Sequence, residues 1–93
     1  MPILQIEHPV PDFDAWKEAF DSDPLGREKS GVRRYRVLRP IDDPNYVMVD
    51  LEFDSAGEAE AFGASLRDLW GRVDVIGENP QARIVDAVET KEY

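Results

Sequence analysis

Residues 7–20, EHPVPDFDAWKEAF, contain the chain's only histidine, His8. An imidazole titrates near neutral pH, so it is the side chain best suited to act as a general acid or base. Pro9 and Pro11 follow, and neither can donate a hydrogen bond to a sheet ladder. The histidine could therefore equally end a strand and bond a backbone group or an acid. Both interpretations stay open, and His8 is the candidate catalytic residue.

Four other residues are candidates for binding a ligand. Arg36 and Asp50 could orient a phenol or a carboxylate through charge-assisted hydrogen bonds, or they could form an ion pair buried between two subunits. Tyr46 begins an apolar strand, and Trp70 ends a helix, a position that often borders a pocket. The predicted substrate-binding residues are therefore Arg36, Tyr46, Asp50 and Trp70.

The composition restricts the function. The chain has 93 residues, which suffice for a single domain over 1–93 and leave no room for a second core. With no cysteine and one histidine, it lacks a disulfide framework, a thiolate or multi-histidine metal site and a cysteine nucleophile. Its net charge of −9 disfavours nucleic acid and anionic membranes as partners. No stretch reads as a signal peptide or a membrane span, so we expect a cytoplasmic protein.

Basic residues crowd one segment of this acidic chain. Positions 27–39 contain Arg27, Lys29, Arg33, Arg34, Arg36 and Arg39. A strand whose arginines pair with the protein's own acids is the simplest explanation. The alternative is a binding site for a small anionic or phenolic ligand.

The hydrophobic pattern predicts four strands and two helices. Alternation predicts strands over 3–8, 32–39, 46–53 and 82–88. A first helix is predicted after Asp12, which suits the N-cap position. Its apolar residues Phe13, Trp16 and Phe20 recur at helical spacing, and this pattern places Trp16 in the core. A capping box at Ser55 and Glu58 opens the second helix. Its apolar row is Ala59, Phe62, Leu66 and Leu69, with Trp70 and Val73 beyond, and Gly77, Asn79 and Pro80 form a loop.

The order β-α-β-β-α-β predicts an α+β, ferredoxin-like sandwich, in which both helices cover one face of a four-stranded antiparallel sheet. Alternation turns His8 toward the helices together with Leu4, Ile6, Val47, Val49, Leu51 and Phe53. The open face is expected to carry Gln5, Glu7, Arg34, Arg36, Leu38, Tyr46, Met48, Asp50 and Glu52. That face is either solvated, with ion pairs worth about 0.2–1 kcal/mol each, or covered by a second copy of the chain.

Two other functions found on this fold do not suit the sequence. RNA recognition needs stacking aromatics on the third strand in a basic setting, whereas YVMVDLEF has one aromatic residue and two acids. An acylphosphatase-like site needs a backbone cradle of N–H groups with an arginine soon after the first strand. The segment HPVPDFD has prolines there and no arginine.

One sequence pattern resembles a known family. The pattern H-x-V-x-D-[FY]-D-x-W-K is present as His8, Val10, Asp12, Phe13, Asp14, Trp16 and Lys17. It resembles the small dimeric α+β barrel proteins related to antibiotic biosynthesis monooxygenases, and the stretch 42–62 is similar to the same group. The resemblance implies a homodimer whose open sheet faces pack into a barrel, with a pocket between sheet and helices in each half. Relatives oxidise aromatic polyketides without metal or flavin, degrade haem or cyclise polyketides, and many members of this branch have no assigned function.

The chain departs from the best-understood members of that group. The haem-degrading relatives use an asparagine on the first strand, a tryptophan on the third and a histidine on the second helix. This chain has Glu7 at the first position and neither of the other two residues, so haem degradation is not expected. The cofactor-free monooxygenases use tryptophan, asparagine, arginine and tyrosine. Arg36, Tyr46 and Trp70 could serve here, but both asparagines, Asn45 and Asn79, are placed in turns.

Two functions therefore remain open for this chain. The first is a homodimeric barrel that binds a small aromatic or amphipathic metabolite, as a cofactor-independent monooxygenase or cyclase without metal. The second is a non-catalytic dimeric module that binds a ligand or a protein, and a monomer using its sheet edge for interaction is a weaker third. No catalytic triad or carboxylate pair is visible in the sequence, so the enzyme class rests on the resemblance.

Overall fold

The fold is seen in a computed structural model of the protein, which describes residues 1–71 and 80–93. The elements are β1 (Pro2–Pro9), α1 (Phe13–Asp21), β2 (Val32–Leu38), β3 (Tyr46–Phe53), α2 (Ala56–Trp70) and β4 (Gln81–Asp86). The strands form one antiparallel sheet in the order β2-β3-β1-β4. This arrangement confirms the predicted ferredoxin-like α+β fold. Val73, Gly77 and Asn79, to which the sequence assigned a helix end and a loop, lie outside the described residues.

The last strand ends earlier than predicted. The sequence pattern extends it to residue 88, whereas β4 ends at Asp86. Asp86 pairs with Pro2, the first residue of β1, so the neighbouring strand offers no partner beyond that point. A strand continues only where a neighbouring strand offers backbone hydrogen-bond partners. Hydrophobic alternation in the sequence does not show where that neighbour ends.

The two helices begin differently. Asp12 has the extended backbone of an N-cap, but its side chain makes no capping hydrogen bond, and α1 begins with the backbone bond from Trp16 N to Asp12 O at 3.1 Å. In α2 the Ser55 hydroxyl accepts a bond from the Glu58 N–H at 3.2 Å, as the predicted capping box requires. Satisfying that N–H fixes the start of α2 relative to the end of β3.

The core lies between the sheet and the helices. Its largest fully buried apolar side chains are Phe53, Leu4, Leu51 and Val47, each at most 2% exposed. Trp16 is 5% exposed and belongs to the same cluster, as its helical spacing predicted. Burying an apolar side chain of this size stabilises the fold by roughly 1.5–3 kcal/mol. The core therefore fixes which face of β1 and β3 points to the helices.

The opposite sheet face is polar and carries the ion pairs expected from the sequence. Arg34 lies opposite Glu52 with Nε 2.6 Å from the carboxylate, and Arg36 lies opposite Asp50 at 2.9 Å. Two exposed apolar side chains, Leu38 and Met48, also face each other across the same strand pair. Within the described part of the chain, no helix is both long enough and apolar enough to cross a membrane.

Candidate functional site

A cavity of about 250 Å³ lies between the sheet and the two helices. Its walls are apolar and come from every layer of the fold: Ile6, His8, Val49 and Leu51 from the sheet, Trp16, Ala19 and Phe20 from α1, and Phe62, Leu66, Leu69 and Trp70 from α2. The loop after α1 closes one side with Ser22, Asp23, Pro24, Leu25 and Arg27. An apolar cavity of ~150 Å³ in another protein holds one benzene, so this one has room for about one to two fused rings.

His8 is the polar side chain deepest in the cavity wall. It is 2% exposed and is the only polar or charged side chain classed as buried among the described residues. Its Nδ1 lies 3.0 Å from the carbonyl oxygen of Pro9. A carbonyl can only accept, so this bond requires the proton on Nδ1 and leaves Nε2 with a lone pair in the neutral ring.

The second ring nitrogen, Nε2, is not used by the Pro9 bond, and the His8 side chain that carries it lines the cavity. Nε2 of His8 has no hydrogen-bond partner among the described residues, and no fully buried side-chain nitrogen or oxygen there lacks one. Burial lowers the pKa of His8 below its ordinary 6.5, and the Pro9 bond opposes this only in part. Burial therefore favours the neutral imidazole at pH 7, and in that form Nε2 carries an acceptor lone pair.

Two tryptophans flank the imidazole. The ring centroids of His8 and Trp16 are 6.2 Å apart, and those of His8 and Trp70 are 6.0 Å apart, both in edge-to-face geometry. Trp16 also stacks on Phe20 at 5.0 Å, which extends the aromatic wall by one helical turn. Such a wall suits a flat ring, because aromatic pairs gain energy from stacked and edge-on contacts in addition to burial.

The cavity mouth contains a charged residue that the sequence did not single out. The Arg27 guanidinium lies 4.0 Å from the centre of the Phe20 ring and 4.9 Å from that of Tyr35. Its Nη1 donates to the Phe20 carbonyl at 2.8 Å and lies 3.6 Å from a carboxylate oxygen of Asp23. The side chain is only 15% exposed. Arg27 is thus fixed in place on the wall rather than extended into solvent.

The structure brings together only some of the predicted site residues. His8 and Trp70 both line the cavity on the helix side of the sheet. Arg36, Tyr46 and Asp50 do not line it, because alternation along β2 and β3 places them on the open face. The five residues therefore form no common site within one chain, and the ligand-binding roles of the open-face residues stay predictions.

Side-chain hydrogen bonds join the three open-face residues to neighbouring strands. Arg36 pairs with Asp50, as described above, and the Tyr46 hydroxyl donates to Glu7 of β1 at 2.8 Å. That bond raises the pKa of the Tyr46 phenol above its ordinary 10, because the neutral hydroxyl is the donor. These contacts tie β1, β2 and β3 together on the face turned away from the cavity.

Sequence reasoning missed the cavity residues that are far apart along the chain. Phe20, Leu66 and Leu69 were recognised as apolar helix positions, but nothing in their spacing distinguishes a packed core from a cavity wall. Arg27 was grouped with its basic neighbours. One feature of the sequence does indicate a site role for Arg27. It follows Pro24 and Gly26 in a loop that must cross the end of the core, and binding residues are common on such loops.

Comparison with known proteins identifies the fold. No family model matches the sequence, and no curated protein matches it. Among solved structures, a Nitrosomonas europaea protein provisionally described as an antibiotic biosynthesis monooxygenase is 20% identical, with a TM-score of 0.71 over 96% of this chain and 100% of its own. A mutant of MhuD with two manganese protoporphyrin IX molecules per active site is 15% identical, with a TM-score of 0.73 over the whole of both chains. A dimeric ferredoxin-like protein from an uncultured marine organism is 13% identical, with a TM-score of 0.68 over 97% of this chain and 98% of its own. The chain therefore has the ferredoxin-like fold of the proteins related to antibiotic biosynthesis monooxygenases, which confirms the resemblance at the level of fold.

Proposed function

We propose that the protein binds a small aromatic hydroxy compound in the cavity between sheet and helices. The observation that carries this proposal is that His8 lines an apolar cavity of about 250 Å³ between two tryptophans, with Nδ1 on the Pro9 carbonyl and Nε2 without a partner among the described residues. A phenolic hydroxyl would donate to Nε2 while its ring packs on Trp16 and Trp70. Because the site has few other polar atoms, this bond would fix the ligand's orientation.

The same geometry supports general-base chemistry. An imidazole with its Nδ1 proton held by a carbonyl can take a proton at Nε2 from a phenol or from an activated C–H group. The phenolate formed is electron-rich enough to react with O₂ directly. For 1-naphthol the balanced reaction with O₂ gives 1,4-naphthoquinone and water: one atom of the O₂ enters the quinone, which keeps the phenol oxygen, and the other leaves as water. A polyketide cyclase would use the same proton transfer to form an enolate, and neither reaction needs a cofactor.

Binding is tested with a matched pair of ligands. We expect 1-naphthol to bind about 2- to 10-fold more tightly than 1-methoxynaphthalene, which lacks the donor hydrogen, because a neutral hydrogen bond contributes about 0.5–1.5 kcal/mol. In His8→Phe, which keeps a ring of similar shape, the two ligands should bind equally. Calorimetry gives the affinities, and the indole N–H signals of Trp16 and Trp70 report the location. Failure of 1-naphthol to shift either signal would contradict the proposal.

Catalysis is tested separately from binding. Quinone formation from 1-naphthol under air is followed by absorbance for the wild type and for His8→Phe. A rate above that of buffer in the wild type, lost in the variant, supports a cofactor-independent oxygenase. Binding without turnover supports the alternative, a non-catalytic ligand-binding module, which the apolar cavity accommodates equally well.

We further propose that the protein is a homodimer whose open sheet faces pack together. Leu38 and Met48 form an apolar pair that is 40% and 37% exposed on that face. Beside them, the arginines of β2 lie next to acids of β3, so a two-fold axis would bring each row against its complement. Arg36, Tyr46 and Asp50 then contribute to the interface rather than to the cavity. Native mass spectrometry should give twice the chain mass, whereas a monomer at micromolar concentration would favour the sheet-edge alternative.

A further inference from the structure

We propose that Arg27 makes the cavity selective for aromatic carboxylates, with the acid group at Arg27 and the ring extending toward His8. This inference rests on the proposed ligand-binding function and adds the chemical class of the ligand. It is independent of the bond to His8, because Arg27 belongs to the loop after α1 and His8 belongs to β1.

The guanidinium is preorganised to bind an anion. The Phe20 carbonyl holds Nη1 at 2.8 Å, and the rings of Phe20 and Tyr35 hold the guanidinium plane. Among the described residues, Nε and Nη2 have no hydrogen-bond partner, so their N–H groups remain available as donors. A guanidinium fork matches a carboxylate with two parallel bonds, and little side-chain entropy is lost when the fork is already fixed.

The charge on this part of the wall also favours an anion. Arg27 is the only arginine or lysine among the cavity-lining residues that the structure describes, and His8 is neutral. Asp23 is the opposing charge, but its Oδ1 accepts the Arg27 backbone N–H at 2.9 Å and lies 3.6 Å from Nη1. The Asp23 side chain is 38% exposed, so water screens it more than the largely buried guanidinium. A ligand carboxylate would therefore meet a cation that is only partly compensated.

The positions of the two polar groups define the shape of the ligand. His8 adjoins Trp16, and Arg27 adjoins Phe20, one turn further along α1, or about 6 Å of rise. The stacked rings of Trp16 and Phe20 form an apolar wall between them. This arrangement fits a flat ring system with a hydroxyl at one end and a carboxylate at the other.

The test compares 1-naphthol with 5-hydroxy-1-naphthoate, which differs only by a carboxylate at the far end. Charge-assisted hydrogen bonds predict that the wild type binds the acid about 10- to 100-fold more tightly. In Arg27→Met, which keeps the length and the apolar stem, the acid should lose this advantage over 1-naphthol. Arg27→Lys should keep part of the preference, because it retains the charge without the fork.

Arg39→Met is the matched control. Arg39 also stacks on an aromatic ring of α1, at 4.3 Å from the centre of Phe13, but it does not line the cavity. Its substitution should leave the preference for the acid unchanged. If 1-naphthol binds and the acid does not bind more tightly, the inference about Arg27 is wrong while the proposed function stands. If Arg27→Met weakens both ligands equally, Arg27 only holds the loop, and if neither ligand binds the wild type, both proposals fall.

Discussion

The Nδ1 atom of His8 lies 3.0 Å from the carbonyl oxygen of its own neighbour, Pro9. This contact is compatible with both roles considered for the histidine, the structural one and the chemical one. The residue lies one position before the end of β1 and bonds a backbone group, as a structural histidine would. The same bond, however, uses only Nδ1, and it leaves Nε2 as an acceptor on the cavity wall. A residue with a structural role at one nitrogen can therefore serve chemistry at the other.

The lowered pKa of His8 predicts a pH dependence of stability. The unfolded chain takes up a proton near the ordinary imidazole pKa of 6.5, whereas the folded chain does so only at lower pH. Between those two values the unfolded state binds more protons, so the free energy of unfolding falls as the pH is lowered through this window. Urea denaturation of the wild type and His8→Phe at a series of pH values checks this. Below about pH 6.5 the wild type should lose stability relative to His8→Phe, and a difference that is constant with pH would contradict the prediction.

Filling the cavity should abolish binding without unfolding the protein. Ala19 lines the cavity from α1, so Ala19→Leu would place a larger apolar side chain in the space meant for the ligand. We expect the Kd for 1-naphthol to rise at least about tenfold, while the free energy of unfolding changes by less than about 1.5 kcal/mol. Ala15→Leu, on the same helix but outside the cavity, is the control. Equal effects of the two substitutions on binding would mean that the ligand lies elsewhere.

Gly31 is required by the backbone conformation at the start of β2. Its φ is +102°, a value that L side chains rarely adopt, and a Cβ there would lie 2.5 Å from Oε2 of Glu58. The Glu58 side chain can move, so the backbone strain dominates and Gly31→Ala should destabilise the fold by about 1–3 kcal/mol. Gly57→Ala lies in the first turn of α2, where a Cβ would meet only the Ser55 hydroxyl at an ordinary contact distance of 4.0 Å, and it should instead stabilise by about 0.5–1 kcal/mol. Thermal unfolding of both variants measures the contrast, and Tm shifts of the same sign would refute it.

The fold was predictable because its signals are local and repeat along each element. Val47, Val49 and Leu51 alternate with polar residues, and that period alone assigns β3 its two faces. The same parity placed His8 on the helix side, where it is buried. The end of β4 was not predictable in this way, because it depends on where β1 begins. Beyond the pair of Pro2 and Asp86, β4 has no neighbouring strand to bond.

The site was only partly predictable because a cavity is a property of the assembled layers. Arg36 and Asp50 are conspicuous in the sequence, but their parity places them across the sheet from His8. Trp70 was identified from its place at the end of α2, and it does lie beside the imidazole. Arg27 reaches the cavity only because the loop after α1 folds back over Phe20. Hydrophobic periodicity in the sequence does not predict the path of a loop.

The proposed dimer predicts a sharp contrast between two exposed apolar residues. Met48 lies on the open face opposite Leu38, whereas Ile41 is fully exposed in the turn before β3. In the dimer, Met48→Lys would place a cation in the centre of the packed sheets. In the monomer the lysine would lie in solvent beside Glu7, its partner on β1, and should not destabilise the fold. We expect the dimer dissociation constant to rise at least about 100-fold, because each subunit would bury a cation whose desolvation a single neighbouring carboxylate offsets only in part. Sedimentation equilibrium should show this loss for Met48→Lys and none for Ile41→Lys. Dimers of unchanged strength in Met48→Lys would place the subunit contact on another surface and would leave the open face to solvent.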